Sequence, residues 1–560
     1  MRTLADIESN TIASRLVNRL AEELTLFTRD ELQMAIKKKL MAEFGSAAVS
    51  LPLDATARQL ADTLTANLPR FTRNGSATPY FTTPEMVTTE RHYFETVRRM
   101  ATSGGGLPAH QIENSAHAFK KQCEDRGRSC DATQIAALRY LLGPGELKIL
   151  VGPPGGGKSD ILRAVAQTHI EHGRKVFATA PTDKATESLA AAVGDITGFR
   201  SDRLADAIAR GEIPDRSVLL FDEAGMEGTL RLTEIVTQAD VHGITLIMAG
   251  DPKQIPAPRA GEPLRPTLDL LSKEPGIPKP VVLTNIYRQR HPGDQSAVRA
   301  AWMGQGDKSI QYFDDHDELS FCVDNARTYA ASAEVYCRNR QDGASSLVLT
   351  VDKDSAAEAN RVIRTALIER GAIGEGRTLR SVEVVNGQER HGELAVAPGE
   401  CLILTGEIEA TKPGGRETRL PAGISATVKS ITANNLEVET EGGKRRLIPL
   451  SGKDGRSAAL PVSYGYALDL KSAQGMKVER AVLAVTGPVD AAHYLVGVSR
   501  HTEQVSLMVS RQTYDSRDAL AKAASRRQDK RMIYDFDWSP DQFSSFETER
   551  NDSIAPRFGG

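Results

Sequence analysis

The stretch ILVGPPGGGKSD, residues 149–160, limits what this chain can fold into more tightly than any other. An apolar run with the look of a buried strand enters a glycine-rich turn, and the turn opens straight into a helical pattern. That turn carries the complete spacing of a phosphate-binding loop: Gly152, Pro153, Pro154, Gly155, Gly156, Gly157, Lys158, Ser159. Glycines let the backbone curl so that N–H groups face phosphate oxygens, and the helix amino end adds its positive dipole. Lys158 is placed to reach the β- and γ-phosphates of ATP, and the Ser159 hydroxyl to ligate Mg²⁺. A strand–loop–helix unit of this kind belongs in a parallel sheet with helices on both faces. Alone, it does not separate a kinase from a switch, a pump or a motor.

The flanking sequence agrees with an α/β reading. Over 129–290, short apolar runs (LKILVG, KVFATAP, SVLLFDEAG, TLIMAGD) alternate with helical segments and predict one α/β domain. A second alternation fills 291–394 and resumes at 461–515, predicting another. Between its parts lies a β-rich, glycine-punctuated insert, 395–460, whose NN and GG turns suggest a small barrel. Residues 1–128 read as a helical domain, from patterns such as IASRLVNRLAEEL, and the glycine run 104–106 marks a flexible joint. The polar stretch 516–560, with its prolines and glycines, predicts a mobile tail.

Length supports several cores, since 560 residues exceed one ordinary domain. No apolar run approaches the ~20 residues of a membrane span, and the start MRTLADIESN lacks a secretory pattern, so a cytoplasmic protein without membrane contact is expected. The net charge of -3 leaves room only for a local basic groove, not a uniformly basic coat. Five cysteines without a C-x-x-C pair suggest reduced thiols, and His169 and His172 read as helix-surface histidines rather than metal ligands.

Further motifs narrow the chemistry. VLLFDEAGM delivers Asp222 and Glu223 at the end of a buried strand, where Asp222 can hold the magnesium ion and Glu223 can orient and deprotonate an attacking water. The next strand ends in GDPKQIP, and Gln254 there can bond both a γ-phosphate oxygen and that water. Arg288 in LTNIYRQ and Arg500 in YLVGVSRHTEQ are candidates to neutralise the γ-phosphate in the transition state. Being far apart in sequence, they suggest a site closed between two domains.

At this point the set resembles superfamily one helicases. Gln134 in SCDATQIAALRYLL matches the family's adenine-reading glutamine, and APTDKATESL (180–189) its first strand-binding motif, with Thr182 on nucleic-acid phosphates. YGYALDLKSAQGMKVERAVL (464–483) matches a late motif that normally reads Thr-x-His-x-x-Gln-Gly; here Asp469 and Lys471 stand in for the threonine and histidine, while Gln474 and Gly475 are retained. The resemblance implies two RecA-like motor domains with an SH3-like insert and a helical amino-terminal domain. It places Gly475 with the nucleotide-binding residues and Thr182, Lys471 and Ser472 with the strand contacts. More narrowly, the chain resembles the RecD-like branch and the helicase part of TraA/TraI-type conjugation relaxases, on LFTRDELQMAIKKKL, YFTTPEMVTTERHYFETVRRM and VSRHTEQVSLMV. That implies 5′-to-3′ movement on single-stranded DNA. No His-x-His occurs and the first tyrosine is Tyr80, so nicking by this chain is not expected and a relaxase or other DNA-processing protein is a candidate partner. Two alternatives remain: RNA as the track, which GDPKQIP also fits, and an ATP-binding scaffold subunit without motor activity, to which the altered late motif points. The insert carries Lys429, Lys444, Arg445 and Arg446 but no aromatic residue, so its strand contacts would be electrostatic.

Overall fold

The computed structural model describes residues 10–44, 53–72, 78–127, 130–194, 196–256, 260–385, 388–440, 442–451, 458–527 and 530–536. Two parallel five-stranded sheets organise it. In the first, the order is Leu147–Val151, Thr245–Gly250, Val218–Phe221, Val176–Ala180, Gly198–Arg200, every neighbouring pair parallel. The first four are buried along their whole length, which is why they read as unbroken apolar runs. Their carboxyl ends share one edge, so residues 152–159, 222–223 and 251–254 emerge side by side. The second sheet runs Ala467–Asp469, Ser346–Thr350, Val478–Val485, His501–Ser510, Leu319–Cys322, again all parallel. The α/β reading with two motor-like sheets therefore holds.

The insert is an antiparallel sheet of seven strands, among them Ser425–Ile431, Asn435–Thr440 and Lys444–Pro449. Alternate residues Ala426, Val428, Leu436, Val438 and Ile448 face its core. A long hairpin, Arg377–Val385 with Gln388–Val396, leads into it, and Leu379 and Val396 join the same core. Asn386-Gly387 stands between those strands in the sequence, the strongest short hairpin signal, and was passed over as part of the second α/β domain.

Three amino-terminal helices, Asn10–Leu24, Arg29–Phe44 and Leu53–Thr65, close on Phe27, Leu32, Ile36, Ala57 and Phe81. The next helix, Pro84–Thr102, begins with Pro84 behind Thr83, whose hydroxyl accepts the Met86 N–H at 3.2 Å. It lays Tyr93, Phe94, Val97 and Met100 against Leu219 and Leu246 of the first sheet, so it belongs to that sheet's core.

Two expectations need correction. The glycine run is no flexible joint: a Cβ on Gly106 would lie 2.3 Å from the Gly143 carbonyl carbon and one on Gly104 2.7 Å from Glu146 Cγ, so the run is pressed onto the first domain. Nor does a tail begin at 516. Helix Arg517–Ser525 buries Leu520 and Ala524 in the second domain, Arg527 donates to the Pro252 carbonyl at 2.6 Å, and Ile533 and Phe536 join Leu26, Phe71, Met86 and Val87. The polar composition hid these few apolar anchors, each too isolated to form a periodic pattern; the remainder of that expected tail, 537–560, lies outside the described residues.

Candidate nucleotide site

The phosphate-binding loop leaves the edge strand at Gly152 and ends at Gly157, whose φ of +85° starts the helix Lys158–Glu171 with no side chain capping it. Uncapped, the first turn keeps its N–H groups for an anion. Gly155 and Gly157 both need glycine: each is left-handed, and added Cβ atoms would sit 2.4 Å from Arg288 Cβ and 2.7 Å from Gln134 Nε2. Lys158 donates to the Gly152 and Pro153 carbonyls at 2.8 and 3.2 Å, bent back over its own loop.

On the loop's other side, Gln134 forms a capping box: its N–H donates to Asp131 at 2.8 Å and its side-chain oxygen accepts the Asp131 N–H at 3.3 Å. Asn285 donates to Asp131 at 2.8 Å, and Tyr287 also donates to Asp131. Against the cost of partial burial, those donors hold the Asp131 carboxyl down at about 2. The Tyr287 N–H donates to the Gly155 carbonyl at 2.8 Å, so the segment carrying Arg288 is stitched to the loop. Asp131, Asn285 and Tyr287 were not singled out from sequence, although LTNIYRQ was read for its arginine.

Asp222 and Glu223 end the central strand. Glu223 has φ +53°, a left-handed conformation uncommon for a non-glycine residue and frequent at functional sites, and its N–H donates to Asp222 at 2.9 Å. Burial, then the Glu223 charge, push the Asp222 carboxyl up, against the pull of Lys158. One strand over, buried Asp251 accepts from the Trp302 indole at 3.1 Å and from Lys253 N–H at 3.0 Å. Trp302 packs in the second domain's core, so Asp251 joins the two domains; GDPKQIP contained it, unremarked. Gln254 donates weakly to Asp251 at 3.4 Å and leaves its buried Oε1 without a partner. An orphaned buried acceptor next to this loop has the chemistry to accept a hydrogen bond from a water there.

Arg288 and Arg500 meet here from opposite domains. Arg288 donates to the Ser499 carbonyl at 2.9 Å, and Arg500, 1% exposed, to the Val496 carbonyl at 3.1 Å and the Ser499 hydroxyl at 2.7 Å. All these acceptors are neutral. Burial and the charge of Arg288 bring Arg500 down to about 9, opposed by Glu223 and Asp251. Two desolvated guanidiniums without a bonded carboxylate form a ready place for a highly charged anion.

The late motif lies at the cleft's mouth. Ser472 donates from its N–H and hydroxyl to Asp469 at 3.0 and 2.6 Å, and Lys471 is exposed, with partial desolvation lowering its pKa against the pull of Asp469. Gln474 crosses to the first domain, donating to the Ile255 carbonyl at 3.3 Å, while Gly475 turns the chain at φ +78°. Thr182 caps helix Asp183–Val193, accepting the Ala185 N–H at 3.2 Å. Of Lys429, Lys444, Arg445 and Arg446 in the insert, Lys429 pairs with Glu439 at 2.9 Å and Arg445 with Glu437 at 3.2 Å, so Lys444 and Arg446 are the less compensated of the four. Ser159, on the helix's first turn, provides one hydroxyl and Asp222 one carboxylate, oxygen donors of the kind a hard divalent cation takes, while Asp160 on the same turn is engaged by Arg163 at 2.9 Å and Arg126 at 3.3 Å.

Residues 129–324 match the AAA domain family AAA_30. The conjugal transfer protein TraA of Rhizobium radiobacter is 24% identical over 406 residues, 72% of this chain and 34% of that protein. The ATP-dependent RecD2 DNA helicase of Deinococcus radiodurans is 30% identical over 191 residues, 32% of this chain and 24% of its own length. The chain thus spans about a third of the TraA relatives it matches. Among solved structures, the Pif1 helicase from Candida albicans is similar at a TM-score of 0.44 and 15% identity, over 71% of this chain and 97% of that one.

Proposed function

We propose that this chain, a RecD-like superfamily one protein related to the TraA conjugal transfer proteins, is an ATP-driven DNA helicase or translocase. The observation that carries the reading is the meeting of Arg288 and Arg500 beside Glu223 and the phosphate-binding loop, because hydrolysis is then tied to how the two sheets sit against each other.

In this reading Lys158 leaves the Gly152 and Pro153 carbonyls for the β- and γ-phosphates, and Gln134 with Tyr287 flanks the base. A Mg²⁺ ion held by Ser159 and Asp222 would neutralise phosphate charge. Glu223 orients the attacking water and takes its proton at the carboxylate, and the unpartnered Gln254 Oε1 accepts from that same water. Arg288 and Arg500 stabilise the charge that develops on the γ-phosphoryl oxygens. Losing that charge removes what both arginines grip, so the cleft relaxes. Gln474 and the Trp302–Asp251 bond connect this relaxation to the loops that follow strands of each sheet.

The strand is held by Thr182 on one domain and by Lys471 and Ser472 on the other, and alternating grip advances it. Asp469 is engaged by Ser472, so Lys471 supplies the positive contact at that motif. The track is single-stranded DNA, in conjugative transfer or related DNA processing, with a relaxase supplied by another protein or another part of a longer one. Movement is 5′-to-3′. A duplex with a 5′ single-stranded overhang is unwound in this account, and unwinding from a 3′ overhang alone would overturn the direction.

A further inference from the structure

Three cations of the first domain that the nucleotide site does not use gather at the opposite end of the same sheet. A cavity of about 540 Å³ opens there between the glycine run 104–106 and the turn after helix Ala132–Leu142. Its cations come from the amino ends of neighbouring strands: Lys148 near the start of Leu147–Val151, Arg174 just before Val176–Ala180, and Arg216 just before Val218–Phe221. His169, in the last turn of helix Lys158–Glu171, completes the wall.

His169 is not the helix-surface histidine its sequence suggests. It is 3% exposed, and neither ring nitrogen has a hydrogen-bond partner. A buried imidazole left so costs free energy unless something else meets it. Burial, then the charges of Arg174 and Lys148, drive its pKa down to about 3, so the ring is neutral and one nitrogen carries a donor hydrogen.

The three cations share little countercharge: Glu146 attracts both Lys148 and Arg174, and burial lowers the Lys148 pKa to about 8. Lys148, equally buried, donates to the Leu141 and Gly143 carbonyls at 2.9 and 2.6 Å, which leaves one of its three N–H bonds over. Arg174 donates from Nε and Nη2 to the Arg216 carbonyl at 3.1 and 2.7 Å, from Nη2 to the Ser217 carbonyl at 3.1 Å and from Nη1 to the Thr245 hydroxyl at 3.0 Å, all neutral acceptors, which leaves one of its five N–H bonds over. Among the described residues lining the cavity Glu146 alone is acidic, and its carboxylate accepts the Ser103 hydroxyl at 3.1 Å. Three cations against one carboxylate leave a wall of net charge about +2.

We propose that this cavity binds a small phosphate-class anion, held by Lys148, Arg174 and Arg216 with His169 as a further hydrogen-bond donor. A doubly charged tetrahedral oxyanion balances the wall and can take the Arg216 fork together with single N–H bonds from Lys148, Arg174 and His169, whereas a single carboxylate fits the fork but balances only half of the charge. The site lies at the far end of the strand and helix that hold the phosphate-binding loop, so it is distinct from the nucleotide site and does not depend on the helicase reading.

The test is calorimetric titration of the full chain with inorganic phosphate and with pyrophosphate, the nucleotide site being filled beforehand with a non-hydrolysable ATP analogue. Saturable one-to-one binding is expected, weakened at least about tenfold in His169→Phe and in Arg216→Asn. Asparagine tolerates the left-handed φ of +59° at position 216, and that side chain is exposed, so Arg216→Asn decides the matter if His169→Phe fails to fold. Affinity for the ATP analogue should not change in Arg216→Asn. A single-stranded oligonucleotide that displaces pyrophosphate would assign the phosphate to a strand, and one that does not would assign it to a free anion. Absence of saturable binding by either probe, or equal binding by parent and Arg216→Asn, would mean a water-filled cavity and overturn the proposal.

Discussion

Lys158 and Glu223 lie in one cluster but have different tasks, and their substitutions should separate them. Lys158→Ala removes the group that grips phosphate, so ATP binding and turnover should both fall. Glu223→Gln keeps the side chain's shape and loses the base, so ATP should still bind and remain unhydrolysed. Nucleotide binding and single-turnover hydrolysis measured on both variants check this; Glu223→Gln turning over at the parental rate would remove it as the base. Arg288→Ala and Arg500→Ala should each lower kcat by about a thousandfold or more while ADP affinity changes little, because their target is γ-phosphate charge. Unchanged kcat in either would take that arginine out of the site. Each of these residues was legible in the sequence because its motif has a fixed spacing next to a strand end. Asp131, Asn285 and Tyr287 were not, since their contact with the loop comes from a chain crossing of more than a hundred residues, with Asn285 reaching Asp131 across 154 positions. The burial of His169 is hidden for a related reason: one turn of helix does not show which distant segments pack around it, or that the glycine run 104–106 lines the same cavity.

Among the elements, the segment after helix Arg517–Ser525 acts as a strap. It leaves the second domain, crosses the first at Pro252 and Glu262, and ends against the amino-terminal helices, where Tyr534 N–H donates to Glu90 at 2.7 Å. Glu90 is buried, and its second oxygen has no partner. Burial raises its carboxyl to about 7 despite the backbone donors of Tyr534 and Ile533. A carboxyl raised in the folded state binds its proton more tightly there than in the unfolded chain. Its stabilising contribution is therefore complete below the unfolded value near 4.5 and lost as pH rises through about 7. Glu90→Gln keeps an acceptor for Tyr534 and removes the titration. Thermal unfolding from pH 5 to pH 8 should show the parent losing stability relative to Glu90→Gln by roughly 3 kcal/mol, and parallel profiles would refute this. The strap illustrates what composition hides. Met532, Ile533 and Phe536 are anchors scattered in a polar stretch, with neither the period of a helix nor that of a strand. The two parallel sheets, by contrast, announced themselves, because a strand buried on both faces must be apolar throughout.

At the scale of the molecule, the two sheets share one cleft whose lining comes from both: Asp222, Glu223, Gln254 and Arg288 from the first domain, and Arg500 and Gln474 from the second. No helix among the described residues is long and apolar enough to cross a membrane. Beside the cleft, the antiparallel insert approaches the helix that Thr182 caps: a Cβ on Gly423 would come within 3.7 Å of Lys184, and Lys444 acts electrostatically on Glu187. The insert and the helix that Thr182 caps thus lie side by side, and the central claim is that a strand held at the proposed contacts closes the arginines onto ATP. The most direct measurement is steady-state ATP hydrolysis by the full chain with and without mixed-sequence single-stranded DNA, and with RNA of the same sequence. Hydrolysis that is slow alone, rises on the order of tenfold or more with DNA, rises less with RNA and is absent in Glu223→Gln is the result this account predicts. Hydrolysis indifferent to any strand would contradict it, leaving a nucleotide-binding fold without a motor.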